Sequence, residues 1–137
     1  MCIRDRAGVP RRVRHVQTEN RRVREFAAAL EVRDLVDAGR LLLESHASLR
    51  DDYDVSIPEL DLLVELAQQA GAYGARLLGG GFGGAILALT DVERADEIAA
   101  KVSSAYHART GFEGASLVAV ASAGARVAIG DGNGSSA

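Results

Sequence analysis

Apolar residues recur along this chain with two different periods. From residue 11, Val13, Val16, Val23, Ala27 and Leu30 return at steps of three and four, with Arg, Glu and Gln mostly between them. That spacing predicts an amphipathic helix whose valine stripe faces inward. Asn20 interrupts the stripe and is expected as a hydrogen-bonded polar residue inside a helix contact. Asp34 is placed to cap a second helix running to about residue 50, with Leu35, Leu42, His46 and Leu49 on one face and Gly39 among them. Ser56-Ile57-Pro58-Glu59 reads as a helix start, Ser56 capping and Glu59 reaching back to its amide. Leu60, Leu63, Val64 and Ala67 carry that helix to a stop at Gly71.

The period then shortens. Two apolar runs, 75–78 and 85–89, read as strands on either side of Gly79-Gly80-Gly81-Phe82-Gly83-Gly84. Asp91 is placed to cap a fourth helix that turns Ala95, Ile98, Ala99, Val102 and Tyr106 inward and closes at Gly111. Residues 116–122 read as another strand, and 126–129 as its continuation or a short partner. The order is three helices, strand, glycine hairpin, strand, helix, strand. It predicts an α+β fold in which, from Pro58 onward, a small antiparallel sheet is covered by helices in a ferredoxin-like manner. Residues 1–10 lack a pattern and are expected to lie outside the fold. Residues 11–130 form the domain, and 131–137 are a small polar tail expected to be flexible.

Composition narrows the function classes. A chain of 137 residues suffices for one domain with its own core. No apolar run approaches a membrane span and no signal peptide is visible, so a soluble cytoplasmic protein without a membrane partner is expected. The single cysteine, Cys2, excludes an internal disulfide framework. Eight of the 15 arginines precede residue 25, against only Asp5 and Glu19. With few aromatics for stacking, the expectation is a solvated helix face, or one packed on an acidic neighbour, rather than a nucleic-acid arm.

Three places carry candidate chemistry. Residues 79–84 supply bare backbone, either for a tight hairpin or as a cradle for an anionic ligand. No Lys or Ser/Thr follows as in a P-loop, and a strand rather than a helix comes next. His46 sits on an apolar helix face, as a hydrogen-bonded core histidine or as a base. Arg50-Asp51-Asp52-Tyr53-Asp54 clusters charge without the alternating oxygen ligands and glycine turn of a cation loop, so no metal site is assigned. It reads as a hydrogen-bonded connection or as support behind a site.

Taken together, three segments resemble the galactokinases of the GHMP kinase superfamily. They are Arg14-His15-Val16-Gln17-Thr18-Glu19-Asn20-Arg21-Arg22-Val23; Glu44-Ser45-His46-Ala47-Ser48-Leu49-Arg50-Asp51-Asp52-Tyr53 followed by Val55-Ser56-Ile57-Pro58-Glu59-Leu60-Asp61; and Gly74-Ala75-Arg76-Leu77-Leu78-Gly79-Gly80-Gly81-Phe82-Gly83-Gly84. The third is similar to the superfamily's third conserved motif, and the resemblance extends over roughly residues 11–129.

The resemblance implies a kinase that uses ATP and Mg2+ to phosphorylate the C1 hydroxyl of α-D-galactose. In that family the glycine loop, here Gly79, Gly80, Gly81, Phe82, Gly83 and Gly84, lies beside the substrate and the phosphate-binding loop at the domain interface. His46, Arg50, Asp52 and Tyr53 are then candidates for support behind the site. The family's Gly-Glu-His-Thr-Asp-Tyr region and Pro-x-Gly-x-Gly-Leu-Ser-Ser-Ser loop do not occur in this sequence, and no catalytic residue is assigned here. The expectation is a C-terminal galactokinase fragment, inactive and not tightly binding ATP or Mg2+ alone, whose partner is the N-terminal kinase domain. Leu78 stands where the family usually has Thr. Two alternatives stay open: another GHMP sugar kinase, such as one for N-acetylgalactosamine, and a free-standing ferredoxin-like ligand-binding or assembly module.

Overall fold

The structure, a computed structural model, describes residues 9–121. Four helices and one hairpin follow the expected order: α1 (Val9–Glu31), α2 (Leu35–Asp51), α3 (Pro58–Ala70), β1 (Gly74–Leu78), β2 (Ala85–Leu89) and α4 (Ala95–Thr110), with a 3-10 turn at Val92–Arg94 before α4. The α+β class stands. Helix α1 begins at Val9, so Val9 and Pro10 belong to it rather than to an unpatterned leader.

Helix α2 is the centre of the molecule. It packs on α1 along one side and on β1 along the other, so it is buried well beyond one apolar face. Ala38, Gly39, Leu41, Leu42, Ser45, His46, Ser48 and Leu49 are all buried. Its start is set as the sequence predicts, the Asp34 carboxylate accepting the Asp37 N–H at 2.9 Å. Helix α3 has Pro58 in its first turn and ends at Gly71, whose φ of 99° is the left-handed cap. The capping box at its start does not form. Ile57 occupies the N-cap and the Ser56 hydroxyl instead donates to Asp61 Oδ1 at 2.6 Å. Asp91 likewise makes no cap hydrogen bond; its carboxylate accepts the Tyr73 hydroxyl at 3.0 Å.

Strands β1 and β2 pair antiparallel, Gly74 opposite Leu89 and Leu78 opposite Ala85. One face of this ribbon closes the core: Leu77 joins Leu49, Val55 and Leu60, while Ala75 joins Val64 and Ala67, with Ile86 touching both groups. Leu41, Leu60 and Leu77 are the largest fully buried side chains; truncating one to alanine costs about 3 kcal/mol. The sheet has two strands among the described residues. Residues 116–121, expected as a strand, run unpaired and exposed, Leu117 being 90% accessible. Residue 122 and the possible strand at 126–129 lie outside the described residues.

The largest departure concerns α1. Its valine stripe faces out: Val13, Val16 and Val23 are each about half exposed, and Asn20 is exposed rather than held in a contact. The buried side consists of His15, Arg22 and Ala29. The helix docks through polar groups because α2 and β1 offer partners, Ser48 to His15 and Ser45 and Arg76 to Glu19, without which burying those groups would be costly.

Candidate functional site

The hairpin loop 79–84 is the candidate site, and its conformation explains most of its glycines. Gly79, Gly81, Gly83 and Gly84 all have positive φ, between 82° and 134°, a region that costs a side-chain-bearing residue roughly 1–2 kcal/mol. Phe82 also stands at φ 61°, and its ring is 73% exposed. Gly80 differs from the rest. Its φ lies outside that range and a Cβ built on it meets nothing within 4 Å. Nothing inside the described chain requires glycine at that position.

One support fixes the loop. The Phe82 N–H donates to the Val55 carbonyl at 2.8 Å, and a Cβ on Gly81 would sit 2.4 Å from that same oxygen. The α2–α3 connection therefore grips the middle of the loop, close enough that only glycine fits at 81. The connection is itself held. Tyr53 N–H donates to Ser48 O and Val55 N–H to Leu49 O, at 3.0 and 3.1 Å, while Asp54 turns the chain at φ 66°.

A second support enters from β1. The Arg76 guanidinium, three residues before the loop, donates to Glu19 Oε1 on α1 at 2.7 Å. The same oxygen accepts the Ser45 hydroxyl at 2.5 Å, and Glu19 Oε2 accepts Arg22 Nε at 2.9 Å. Burial works to raise the Glu19 pKa, but the hydrogen bonds from Ser45 and Arg22 and the charge of Arg76 outweigh it and hold the carboxylate below its ordinary value. Arginines of α1 also reach the acidic end of α2: Arg14 Nη1 lies 3.3 Å from Asp52 Oδ1, and Arg11 donates to the Asp51 carbonyl at 3.3 Å. The basic start thus packs in part on an acidic neighbour.

Two histidines sit behind these supports in opposite tautomers. His46 Nδ1 accepts the Leu77 N–H at 3.3 Å, so its Nε2–H faces Asp61 Oδ1 at 3.0 Å. Ser48 gives its hydroxyl proton to Asp52 Oδ2 at 3.1 Å, so His15 Nδ1 carries the hydrogen directed at Ser48 Oγ, 3.0 Å away. The His15 ring also lies 4.7 Å from that of Tyr53. Burial is the leading cause that lowers the pKa of both imidazoles, against the opposing charges of Glu19 on His15 and Asp61 on His46. His46 is thereby a hydrogen-bonded core histidine, while Asp52 and Tyr53 brace the α1–α2 contact. Arg50 turns aside and pairs with Asp51 at 2.8 Å.

Val55 holds the loop, while Glu19, Arg76 and Asp61 hold the elements around it, and periodicity alone does not single any of them out. Each lies within the three segments quoted above, and that coincidence was the available signal. Among the described residues no group of three or more His, Cys, Asp or Glu side chains is arranged to hold a metal ion. No helix among the described residues is long and apolar enough to cross a membrane.

Comparison with known proteins gives a consistent answer. A protein family described as "GHMP kinases C terminal" matches residues 26–108. The galactokinase of Chloroflexus aggregans is 51% identical over 113 residues, 82% of this chain and 29% of that protein. The galactokinase of Mycobacterium tuberculosis is 52% identical over 95 residues, 69% of this chain and 26% of its own length. Among solved structures, Lactococcus lactis galactokinase in complex with galactose superposes with a TM-score of 0.71 at 39% identity, covering 77% of this chain and 28% of that one. L. major mevalonate kinase in complex with R-mevalonate superposes at 0.60 and 30% identity, covering 66% and 28%. The chain spans between a quarter and a third of the length of these relatives, and it belongs to the GHMP kinases through their C-terminal domain family.

Proposed function

We propose that this chain serves as the C-terminal part of a cytoplasmic galactokinase, in which the whole enzyme transfers the γ-phosphate of ATP, with Mg2+, to the C1 hydroxyl of α-D-galactose. Identity near 50% to galactokinases, spread over four-fifths of the chain, supports the choice of sugar kinase. The observation that carries the reading of the site is Gly80: a glycine with free space around it and no backbone need for it. Such a position makes sense where another surface must approach the backbone closely.

In this reading residues 79–84 form one wall of the active site and meet the substrate and phosphate-binding loop supplied by the rest of the kinase. Val55, Arg76 and Glu19 keep that wall in place, with His46, Asp52 and Tyr53 behind them. Among the described residues no cluster of His, Cys, Asp or Glu is arranged to hold a metal ion, and no lysine follows the loop as in a P-loop. Phosphoryl transfer requires nucleotide, metal and acceptor to be positioned together, so the chain alone is expected to be inactive.

Complementation tests this directly. The Chloroflexus aggregans galactokinase would be prepared without the region matched here, then mixed with this chain, ATP, Mg2+ and galactose. Formation of galactose 1-phosphate only when both polypeptides are present is the expected result. Turnover by this chain alone, or a tight association of the two without any turnover, would overturn the reading.

A further inference from the structure

The glycine loop is held at two points by groups from different elements. At its root on β1, the Leu77 N–H donates to His46 Nδ1 of α2 at 3.3 Å. Near its middle, the Phe82 N–H donates to the Val55 carbonyl of the α2–α3 connection at 2.8 Å. Behind the loop the two holders meet on one oxygen. Asp61 Oδ1 of α3 accepts the His46 Nε2–H at 3.0 Å and the hydroxyl of Ser56, the neighbour of Val55, at 2.6 Å. The path from Leu77 through His46, Asp61, Ser56 and Val55 to Phe82 is therefore a closed ring, since the chain itself joins 77 to 82.

This ring depends on one proton. An imidazole links a donor on one side to an acceptor on the other only while it is neutral. A charged imidazole carries hydrogen on both nitrogens and cannot accept the Leu77 N–H. His46 is buried, and burial favours its neutral form against the attraction of Asp61. The charges facing it are mixed: Asp61 and, along the same groove, Glu65 from α3; Arg76 from β1; and Arg50 and Asp51 at the end of α2.

We propose that His46 is a positioning residue for residues 79–84: in its neutral form it couples the root grip to the middle grip, so that the two hold or release together. That the loop so held is an active-site wall rests on the kinase reading; the coupling does not. Its test is amide hydrogen exchange on the full chain, each rate divided by its intrinsic value and compared with amides in the middle of α4, which a global loss of stability would lower equally. His46→Gln keeps a donor for Asp61 but offers Leu77 no acceptor. It touches neither Val55 nor Phe82, yet should lower protection of the Phe82 amide about tenfold. Ser56→Ala, at the other side of the ring, should lower protection of the Leu77 amide by a similar factor. On acidification both amides of the unsubstituted chain should lose protection in one step lying below pH 6.5, and that step should be absent from His46→Gln. Turnover in the complementation mixture reports on the kinase reading separately. If His46→Gln leaves turnover unchanged while Phe82 loses protection, the loop is no active-site wall and the coupling stands. Phe82 keeping its protection in His46→Gln, Leu77 keeping its own in Ser56→Ala, or a pH step at Phe82 that survives His46→Gln would overturn the proposal. So would a loss that the α4 amides share in full.

Discussion

Two groups of glycines in this chain do opposite work. Gly39 and Gly74 lie where α2 meets β1, and a Cβ on either would fall about 2 Å from backbone atoms of the other segment. Gly79, Gly80, Gly83 and Gly84 lie in the loop that follows, and a Cβ on any of them would meet nothing within 4 Å. The first pair is glycine because the fold has no room. The second group is glycine for its φ angles, except at Gly80, where neither packing nor φ within the described residues requires it. A crowded glycine reports on packing, and an open glycine at positive φ reports on the turn it makes.

The largest effect should come from the crowded pair. Gly74→Ala forces backbone against backbone and is expected to destabilise by roughly 4 kcal/mol or more, read from urea unfolding. If the cost is below about 1 kcal/mol, the α2–β1 contact is looser than described and the comparison loses one of its sides.

Next in size is the charge that holds α1. Glu19→Gln leaves Arg22 and Arg76 without their carboxylate while keeping the side-chain shape, and a loss of about 2–3 kcal/mol is expected. The linked pH dependence has a definite sign. His15 and His46 have folded-state pKa values below their ordinary 6.5, so the unfolded chain takes up protons first as pH falls. Their contribution is complete above pH 6.5 and is lost as pH drops through their lowered folded values. Glu19, lowered from 4.5, adds a second loss beginning below pH 4.5. Stability should therefore fall in two stages on acidification, and Glu19→Gln should flatten the second; a profile level from pH 7 to pH 4 would contradict the histidine assignments, and no further loss below pH 4.5 would contradict that of Glu19.

Gly81 stands between the two groups, with a positive φ and the Val55 carbonyl 2.4 Å from a built Cβ. Gly81→Ala should cost about 2 kcal/mol, because a loop can shift where a helix–strand contact cannot. Hydrogen exchange at the Phe82 amide checks the cause: its protection should fall by tenfold or more, and an unchanged rate would remove Val55 as the grip on the loop.

How much of this was legible follows from the range of each interaction. The caps at Asp34 and Gly71, the two strands and the glycine hairpin depend on neighbours in sequence, and the sequence shows them. The buried face of α1 does not. It is chosen by Ser45 and Arg76, which lie 26 and 57 residues from Glu19, and the valine stripe at helical spacing pointed the wrong way. Ser56 was misjudged for a related reason: Asp61, brought over it by the turn of α3, outcompetes the cap. The glycine loop could be placed but its grip could not, since Val55 acts through a backbone carbonyl that leaves no trace in residue type. Resemblance to a family collected these residues into three segments without saying which held which.

The smallest effect on stability should come from Gly80, and it is the most informative. Gly80→Val adds a side chain into open space at a residue whose φ is not in the left-handed region, so unfolding should change by less than about 1 kcal/mol. In the complementation mixture, by contrast, the branched side chain stands where the proposed substrate-side surface approaches, and turnover should drop by tenfold or more. The split between the two measurements is what matters. A loss of both would mean that Gly80 is crowded after all and belongs with Gly39 and Gly74. Retention of both would mean that no surface approaches the loop at this point, leaving positive φ, with the Val55 carbonyl at Gly81, as the reasons for its other glycines and removing the observation on which the active-site reading of residues 79–84 depends.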